Sequence, residues 1–306
     1  MNWTVENIPD LAGKVIIVTG GNSGLGYESV KAFAAKGAEV IMASRSTEKG
    51  EEARTENLKT SPGAKISVMQ LDLGDLESVR NFASAFKERY QKLDVLLNNA
   101  GIMIPPYFTT KDGFEGQFGI NHLGHFALTG LLMDVILKTE KARIVNVSSG
   151  AHKRGEMDFS NLLFENGRDY SPMKAYGRSK LSNLLFTYEL QRKLEAAQKE
   201  TIAAAAHPGV AKTNLGRYLQ RRFLVRILMP LFNLMVQDQA MGALPQIRAC
   251  VDPGVKTGEY YGPDGRREFK GYPVIVASND ASHNSVDSAK LWEESEKLTG
   301  VTYNIE

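Results

Sequence analysis

Tyr176 and Lys180 stand four positions apart in AYGRSK, a stretch that reads as helix. Residues i and i+4 share a helix face, so the ammonium can sit near the phenol. Neither group is an obvious catalyst at neutral pH, because a free phenol titrates near ~10 and a free lysine near ~10.4. A nearby cation changes that by favouring phenolate. Tyrosine can then donate a proton to a carbonyl oxygen, or accept one from an alcohol in reverse. Many helices carry such a pair for no chemical reason, so its meaning depends on what precedes it.

TGGNSGLG (19–26) follows an apolar run and opens a helical pattern. Gly20 allows a tight turn, Gly24 close backbone approach, and Gly26 contact between helix and strand, leaving the helix N-terminus to receive a pyrophosphate. A plain strand-to-helix loop is the bland alternative, but the strand-before, helix-after context favours a dinucleotide site. The second strand ends at Ser44-Arg45. An acid at that place accepts from a ribose 2′-OH, whereas an arginine accommodates a 2′-phosphate. Glu39 is at the wrong end of the strand to reach the ribose. NADP(H) is therefore expected over NAD(H), with a solvated surface arginine as the competing reading.

Regular alternation of apolar runs and amphipathic stretches must position these residues. KVIIVTG (14–20), EVIMASR (39–45), KISVMQLD (65–72), LDVLLNNAG (93–101), ARIVNVSS (142–149), TIAAAAHPG (201–209) and EYYGPDG (259–265) read as strands. GLGYESVKAFAAKG (24–37) and a charged stretch from about Thr47 to Lys59 read as helices, with more between the later strands. Strands separated by helices imply α/β architecture, a doubly wound parallel sheet of about seven strands with helices on both faces. Its ligand crevice lies at the C-terminal strand ends. The alternation runs nearly end to end without repeats or linker, so 1–306 is expected to be one NAD(P)-binding Rossmann-type domain.

Composition is that of an ordinary globular protein, and the formal net charge of +2 gives no reason to expect nucleic acid or a membrane surface as partner. The single cysteine, Cys250, excludes an internal disulfide and fits a reducing compartment. The start, MNWTVENIPDLAGK, lacks a signal-peptide layout. FLVRILMPLFNLMV (223–236) is too short to span a bilayer and contains Arg226 and Pro230. A cytoplasmic protein without integral membrane segment is expected. His122 and His125 are three apart but have no third ligand at a compelling spacing, so no metal site is expected.

With TGGNSGLG, NNAG (98–101), Ser149 and Tyr176-Gly-Arg-Ser-Lys180 in this order, the chain resembles the short-chain dehydrogenase/reductase family over nearly its whole length. GINHLGHF, HPGVAKTNL and the long segment between Ser149 and Tyr176 resemble its retinol dehydrogenase-like and WW-domain oxidoreductase-like branch. Protochlorophyllide reductase shares much of that layout, but its active-site cysteine has no counterpart here, and a membrane anchor like that of many retinol dehydrogenases is not expected.

The resemblance implies a catalytic set of Asn121, Ser149, Tyr176 and Lys180. Tyr176 would be the acid/base and Ser149 the substrate-orienting hydroxyl. Strand alternation points Ser148 the opposite way, and Ser148 is the competing assignment. Asn121 would link Lys180 through water to a proton relay, its alternative being a cap or kink residue. Cofactor contacts are implied for Gly20, Asn22, Ser23, Gly24, Leu25, Gly26, Ser44 and Arg45. Asp72 and Leu73 would lie beside the adenine, where Asp72 could equally be a helix N-cap. Asn99, Ala100 and Gly101 would pass under the adenosine ribose, and Pro208, Gly209, Val210 and Thr213 would cap the nicotinamide. Tyr176 and Lys180 would complete the set.

A lid is implied at about 214–237. Its apolar residues exceed one helix face, and Pro230 should split it into two helical pieces. The expected substrate is accordingly a lipophilic carbonyl compound or alcohol. A dinucleotide-binding redox sensor or scaffold with little turnover is the competing function, and action on carbon–carbon double bonds is a third. Self-association is open, because the helices that could mediate it are ordinary sheet-covering helices.

Overall fold

The computed structural model describes residues 2–211 and 236–305. Strand β1 (Val15–Thr19) is buried along its whole length, as its apolar β-branched run requires. A glycine turn leads into α1 (Gly24–Ala35), and Gly37 (φ +90°) releases the chain into β2 (Glu39–Ser44). α2 (Thr47–Thr60) starts where the Ser46 hydroxyl accepts from Lys49 N, and it feeds β3 (Lys65–Gln70). Asp75 caps α3 (Leu76–Arg89) by accepting from Glu77 N and Ser78 N, so the N-cap is Asp75 and not Asp72.

β4 (Val95–Asn98) is followed by a helical stretch with a π-turn at Gly119–Leu123, continuing as α4 (Gly124–Leu131). β5 (Arg143–Val147) ends at the two serines, and the long α5 (Pro172–Ala196) begins with Pro172 in its first turn. After β6 (Ile202–Ala206) come α6 (Gln239–Val251), the hairpin of β7 (Tyr260–Pro263) and β8 (Pro273–Ile275), and α7 (Ser285–Thr299).

The eight strands form one sheet in the order β3-β2-β1-β4-β5-β6-β7-β8. All neighbours are parallel except β7 and β8. The eighth strand corrects the expected count of about seven. It has three residues, begins at a proline and leaves Ile275 exposed, so it carries no periodic signal.

Each sheet face has its own core. Phe82, Phe86, Phe126, Phe186 and Trp292 pack on one side, and Val30, Phe33, Leu244 and Ile247 on the other. Burial on both faces is what a parallel sheet demands, and it leaves the C-terminal strand ends as the place for polar chemistry. Among the described residues no helix is long and apolar enough to cross a membrane. The expected lid falls almost entirely on 214–235, outside the described residues.

Candidate active site

The turn after β1 is built by left-handed glycines. Gly20 (φ +65°) and Gly24 (φ +60°) occupy a region that side chains disfavour. A Cβ on Gly26 would overlap Gly20 O and stand 2.6 Å from Asn99 Nδ2, whereas one on Gly24 would meet nothing within 4 Å. The turn is thus closed toward the protein at Gly26 and open outward at Gly24. Leu25 is buried, and Ser23, the N-cap of α1, makes no side-chain cap bond. Among the described residues neither Asn22 nor Ser23 has a side-chain hydrogen bond, so the helix N-terminus keeps its anion-receiving character.

Thr19 ties this turn to NNAG, a contact the sequence reading missed. Its Oγ1 accepts from Asn99 N and Ala100 N, both at 2.9 Å, and its carbonyl accepts from Asn99 Nδ2 at 2.8 Å. Gln246 on α6 donates to Asn99 Oδ1 (3.0 Å) and Ser29 Oγ (2.9 Å). A buried glutamine among the apolar residues of a helix was the available signal. His125 Nδ1 lies 3.1 Å from the Asn121 carbonyl, which can only accept, so the ring proton is on Nδ1. Nε2 then receives the Thr19 hydroxyl at 2.9 Å. Burial pulls the His125 pKa to about 4 and keeps the ring neutral. Among the described residues no group of three or more His, Cys, Asp or Glu could hold a metal ion.

Arg45 follows β2 directly, is exposed, and has no hydrogen bond or ion pair among the described residues. It lines a hollow of about 520 Å³ together with Gln70, Asp72, Ser78 and Asn81. Asp72 Oδ1 accepts from Gly74 N at 2.9 Å. Ser44 is buried and donates to Ser46 O, while the Leu73 side chain joins the core. Those two side chains are therefore turned into the protein, and only their backbones lie near the crevice.

At the end of β5 the two serines part. Ser148 Oγ donates to Lys180 O at 2.8 Å, facing α5. Ser149 caps a short turn (Gly150–Arg154), its Oγ accepting from Ala151 N, and its hydroxyl also reaches Tyr176. Tyr176 is nearly fully buried, and burial pushes its phenol above the ordinary value while the Ser149 hydrogen bond pulls it down. Of these two effects desolvation is the larger. Lys180 Nζ lies 5.9 Å from the Tyr176 ring centroid and donates to Val147 O at 2.9 Å. Burial draws its pKa to about 8.

Gly101 completes the group. A Cβ there would lie 3.1 Å from Asn121 Oδ1 and 3.5 Å from Lys180 Nζ. The Asn121 side chain accepts from Ile102 N and donates to Ile102 O and Ser179 Oγ, pinning the loop after NNAG. No hydrogen bond joins Asn121 to Lys180 directly. Arg178, inside YGRSK, is fully buried, stacks over Phe164 at 4.1 Å and donates to Asn161 O and Leu162 O, which anchors the long segment before α5.

The loop after β6 closes the far side. Gly209 (φ +63°) donates to His207 Nδ1 at 3.2 Å, Pro208 O accepts from Gln237 Nε2, and Val210 N donates to Phe269 O. Thr213 lies outside the described residues. A second hollow, about 790 Å³, opens beside this loop between Met241 and the β7–β8 hairpin. Among the described residues, its lining does not include Ser149, Tyr176 or Lys180.

Comparison with known proteins agrees with this fold. The short chain dehydrogenase family model matches residues 14–162. Human retinol dehydrogenase 13 is 38% identical over 296 residues, covering 95% of this chain and 86% of that protein. Human retinol dehydrogenase 11 is 38% identical over 293 residues, covering 95% and 87%. A crystal structure of an uncharacterized protein from Mycobacterium paratuberculosis superposes with a TM-score of 0.83 at 39% identity, covering 99% of this chain and 100% of that one. The RhlG/NADP active-site complex of Pseudomonas aeruginosa shares the fold, with a TM-score of 0.65 at 20% identity over 82% of this chain and 94% of that one. The chain belongs to the short-chain dehydrogenase/reductase family, among its retinol dehydrogenase-like members, and is an NAD(P)-binding oxidoreductase acting on CH–OH and C=O groups.

Proposed function

We propose that this protein transfers hydride between NADP(H) and the carbonyl or alcohol of a lipophilic small molecule, with Tyr176 as the acid/base. The observation that carries the reading is the meeting of Ser149, Tyr176 and Lys180 beside Gly101 at the C-terminal strand ends. The residues present fit the cofactor. The turn is open at Gly24, and among the described residues Asn22 and Ser23 have uncommitted side chains and Arg45 has no partner where a 2′-phosphate would come. Structural relatives described as NADP complexes support the same choice.

When bound, the nicotinamide supplies or takes up the hydride. In reduction, the Tyr176 hydroxyl gives its proton to the carbonyl oxygen as negative charge builds there. Ser149 Oγ donates a hydrogen bond to the same oxygen and holds it in place. Lys180, charged below about pH 8, stabilises the phenolate left on Tyr176. Asn121 keeps the loop after NNAG fixed through Ile102, so Gly101 stays against the lysine. Oxidation of an alcohol reverses each proton movement.

A lipophilic substrate is supported by the relatives named retinol dehydrogenase and by the apolar excess of 214–237. The buried Cys250 suits a reducing compartment, and the cytoplasm is the proposed location. NADPH consumption across a homologous series of aldehydes tests the reading. Each added methylene should raise kcat/KM by up to roughly fourfold, from ~0.8 kcal/mol of buried surface, until the pocket fills. Values that stay flat or fall with chain length would remove the lipophilic assignment, and no turnover with any aldehyde, ketone or quinone would favour the sensor reading.

A further inference from the structure

One carboxylate, Glu268, touches both segments that flank Ser149 and the loop after β6. It sits at the tip of the β7–β8 hairpin. Its Oε1 receives Lys153 Nζ at 3.1 Å, from the turn that Ser149 caps. Its Oε2 stands 3.0 Å from His207 Nε2, at ion-pair distance though not aligned for a good hydrogen bond. His207 Nδ1 accepts from Gly209 N, which leaves Nε2 as the ring nitrogen on the side of the carboxylate. On β7, Gly262 makes room for the ring, since a Cβ there would overlap His207 Nε2.

The hairpin brings Glu268 in through an uncommon backbone. Arg267 and Glu268 are consecutive, and both have φ +57°, in the region glycine favours. Contact with His207 first, and then Lys153, pulls the Glu268 pKa to about 2. Behind Ser149, His152 Nδ1 donates to the Ser149 carbonyl at 2.7 Å, and burial keeps that ring neutral. The Tyr260 ring packs between His152 and His207, at 5.7 and 5.2 Å. The wall behind the serine is therefore one connected layer, with Glu268 as its charged link.

We propose that Glu268 is a positioning residue for hydride transfer. By holding Lys153 and His207 together, it fixes the spacing between the Ser149 turn and the His207–Val210 loop, the two walls between which substrate and nicotinamide must meet. The assignment rests on the hydride-transfer function proposed above. Loss of the clamp should misplace the reacting atoms while leaving the phosphate and ribose contacts of the cofactor intact.

The test is Glu268→Gln, which keeps the shape and removes the charge, alongside Lys153→Met at a half-exposed lysine. Single-turnover hydride transfer to the best aldehyde of the series is measured with NADPH and with NADPH deuterated at the transferred position. Glu268→Gln should slow transfer about ten- to hundredfold, the scale of a lost charge-assisted bond. The isotope effect on kcat should rise, and NADPH affinity by fluorescence titration should stay within about threefold, because phosphate contacts dominate it. Glu268→Asp should recover part of the rate. Lys153→Met should give a smaller loss, and the double variant should be no slower than Glu268→Gln. An unchanged transfer rate and isotope effect in Glu268→Gln would overturn the proposal, as would a loss accounted for by unfolding while Lys153→Met remains fully active. If Tyr176→Phe abolishes turnover while Glu268→Gln does not slow it, the clamp alone fails; if Tyr176→Phe is active, the underlying function fails.

Discussion

Arg45 offers the cleanest test of cofactor choice, because its replacement disturbs nothing else. The side chain has no partner among the described residues, and the neighbouring cap of α2 belongs to Ser46, which accepts from Lys49 N at 3.2 Å. Arg45→Ala should therefore leave the melting temperature unchanged. A hydrogen bond to a charged group contributes ~1.5–3 kcal/mol, and solvent exposure places Arg45 at the lower end. That corresponds to roughly tenfold weaker NADPH binding. Arg45→Asp adds repulsion from the 2′-phosphate, about 1 kcal/mol per charge pair at contact distance in water. It also offers a ribose acceptor to NADH. The preference for NADPH over NADH should fall by about a hundredfold in Arg45→Asp, and the wild-type preference should weaken as salt is raised. Fluorescence titration of both cofactors at two ionic strengths measures this. An unaltered ratio in Arg45→Asp would return the arginine to the solvated surface and refute the NADP(H) assignment made from it.

Gly26→Ala should cost ~1–3 kcal/mol of stability and abolish measurable cofactor binding, because the added methyl overlaps Gly20 O and crowds Asn99 Nδ2; denaturant unfolding and cofactor titration check both. His122 is buried among Phe118, Phe126 and Phe186, and burial lowers its pKa from 6.5 to about 3. A depressed histidine contributes stability that is whole above pH 6.5 and is lost as pH falls toward 3, so between pH 6.5 and 5 it accounts for about 2 kcal/mol. His122→Phe should flatten that part of the pH–stability curve, read as a smaller drop in denaturation midpoint between pH 7 and pH 5.

The parallel framework was legible because its signals are local. Five buried β-branched or apolar residues in β1, glycines at the turn after it, and a glycine closing α1 each constrain the backbone by themselves. The short β8 was not, since three residues beginning with proline have neither period nor length. Nor could the π-turn at Gly119–Leu123 be read, because it differs from α-helix only in which carbonyl each N–H meets.

At the site, residue types were readable and their partners were not. Strand alternation already turns Ser148 and Ser149 apart, but their partners, Lys180 O for the first and Tyr176 for the second, come only with the fold. A helix face says nothing of desolvation, which pushes the Tyr176 phenol up. Glu268 and His207 are far apart in sequence, and a glutamate in a charged turn looks like a solvated residue until the hairpin folds back. Thr19 and Gln246 were overlooked for the same reason, since each acts by stitching distant loops.

The measurement that bears most directly on the proposed function is single-turnover reduction by Tyr176→Phe, with NADPH affinity determined on the same preparation. The substitution keeps the ring and its packing while removing the transferable proton. Turnover should fall ~10²–10⁴-fold, the worth of positioned acid–base help, with NADPH bound about as tightly as before. Near-wild-type turnover in Tyr176→Phe would contradict the assignment of the proton to this tyrosine.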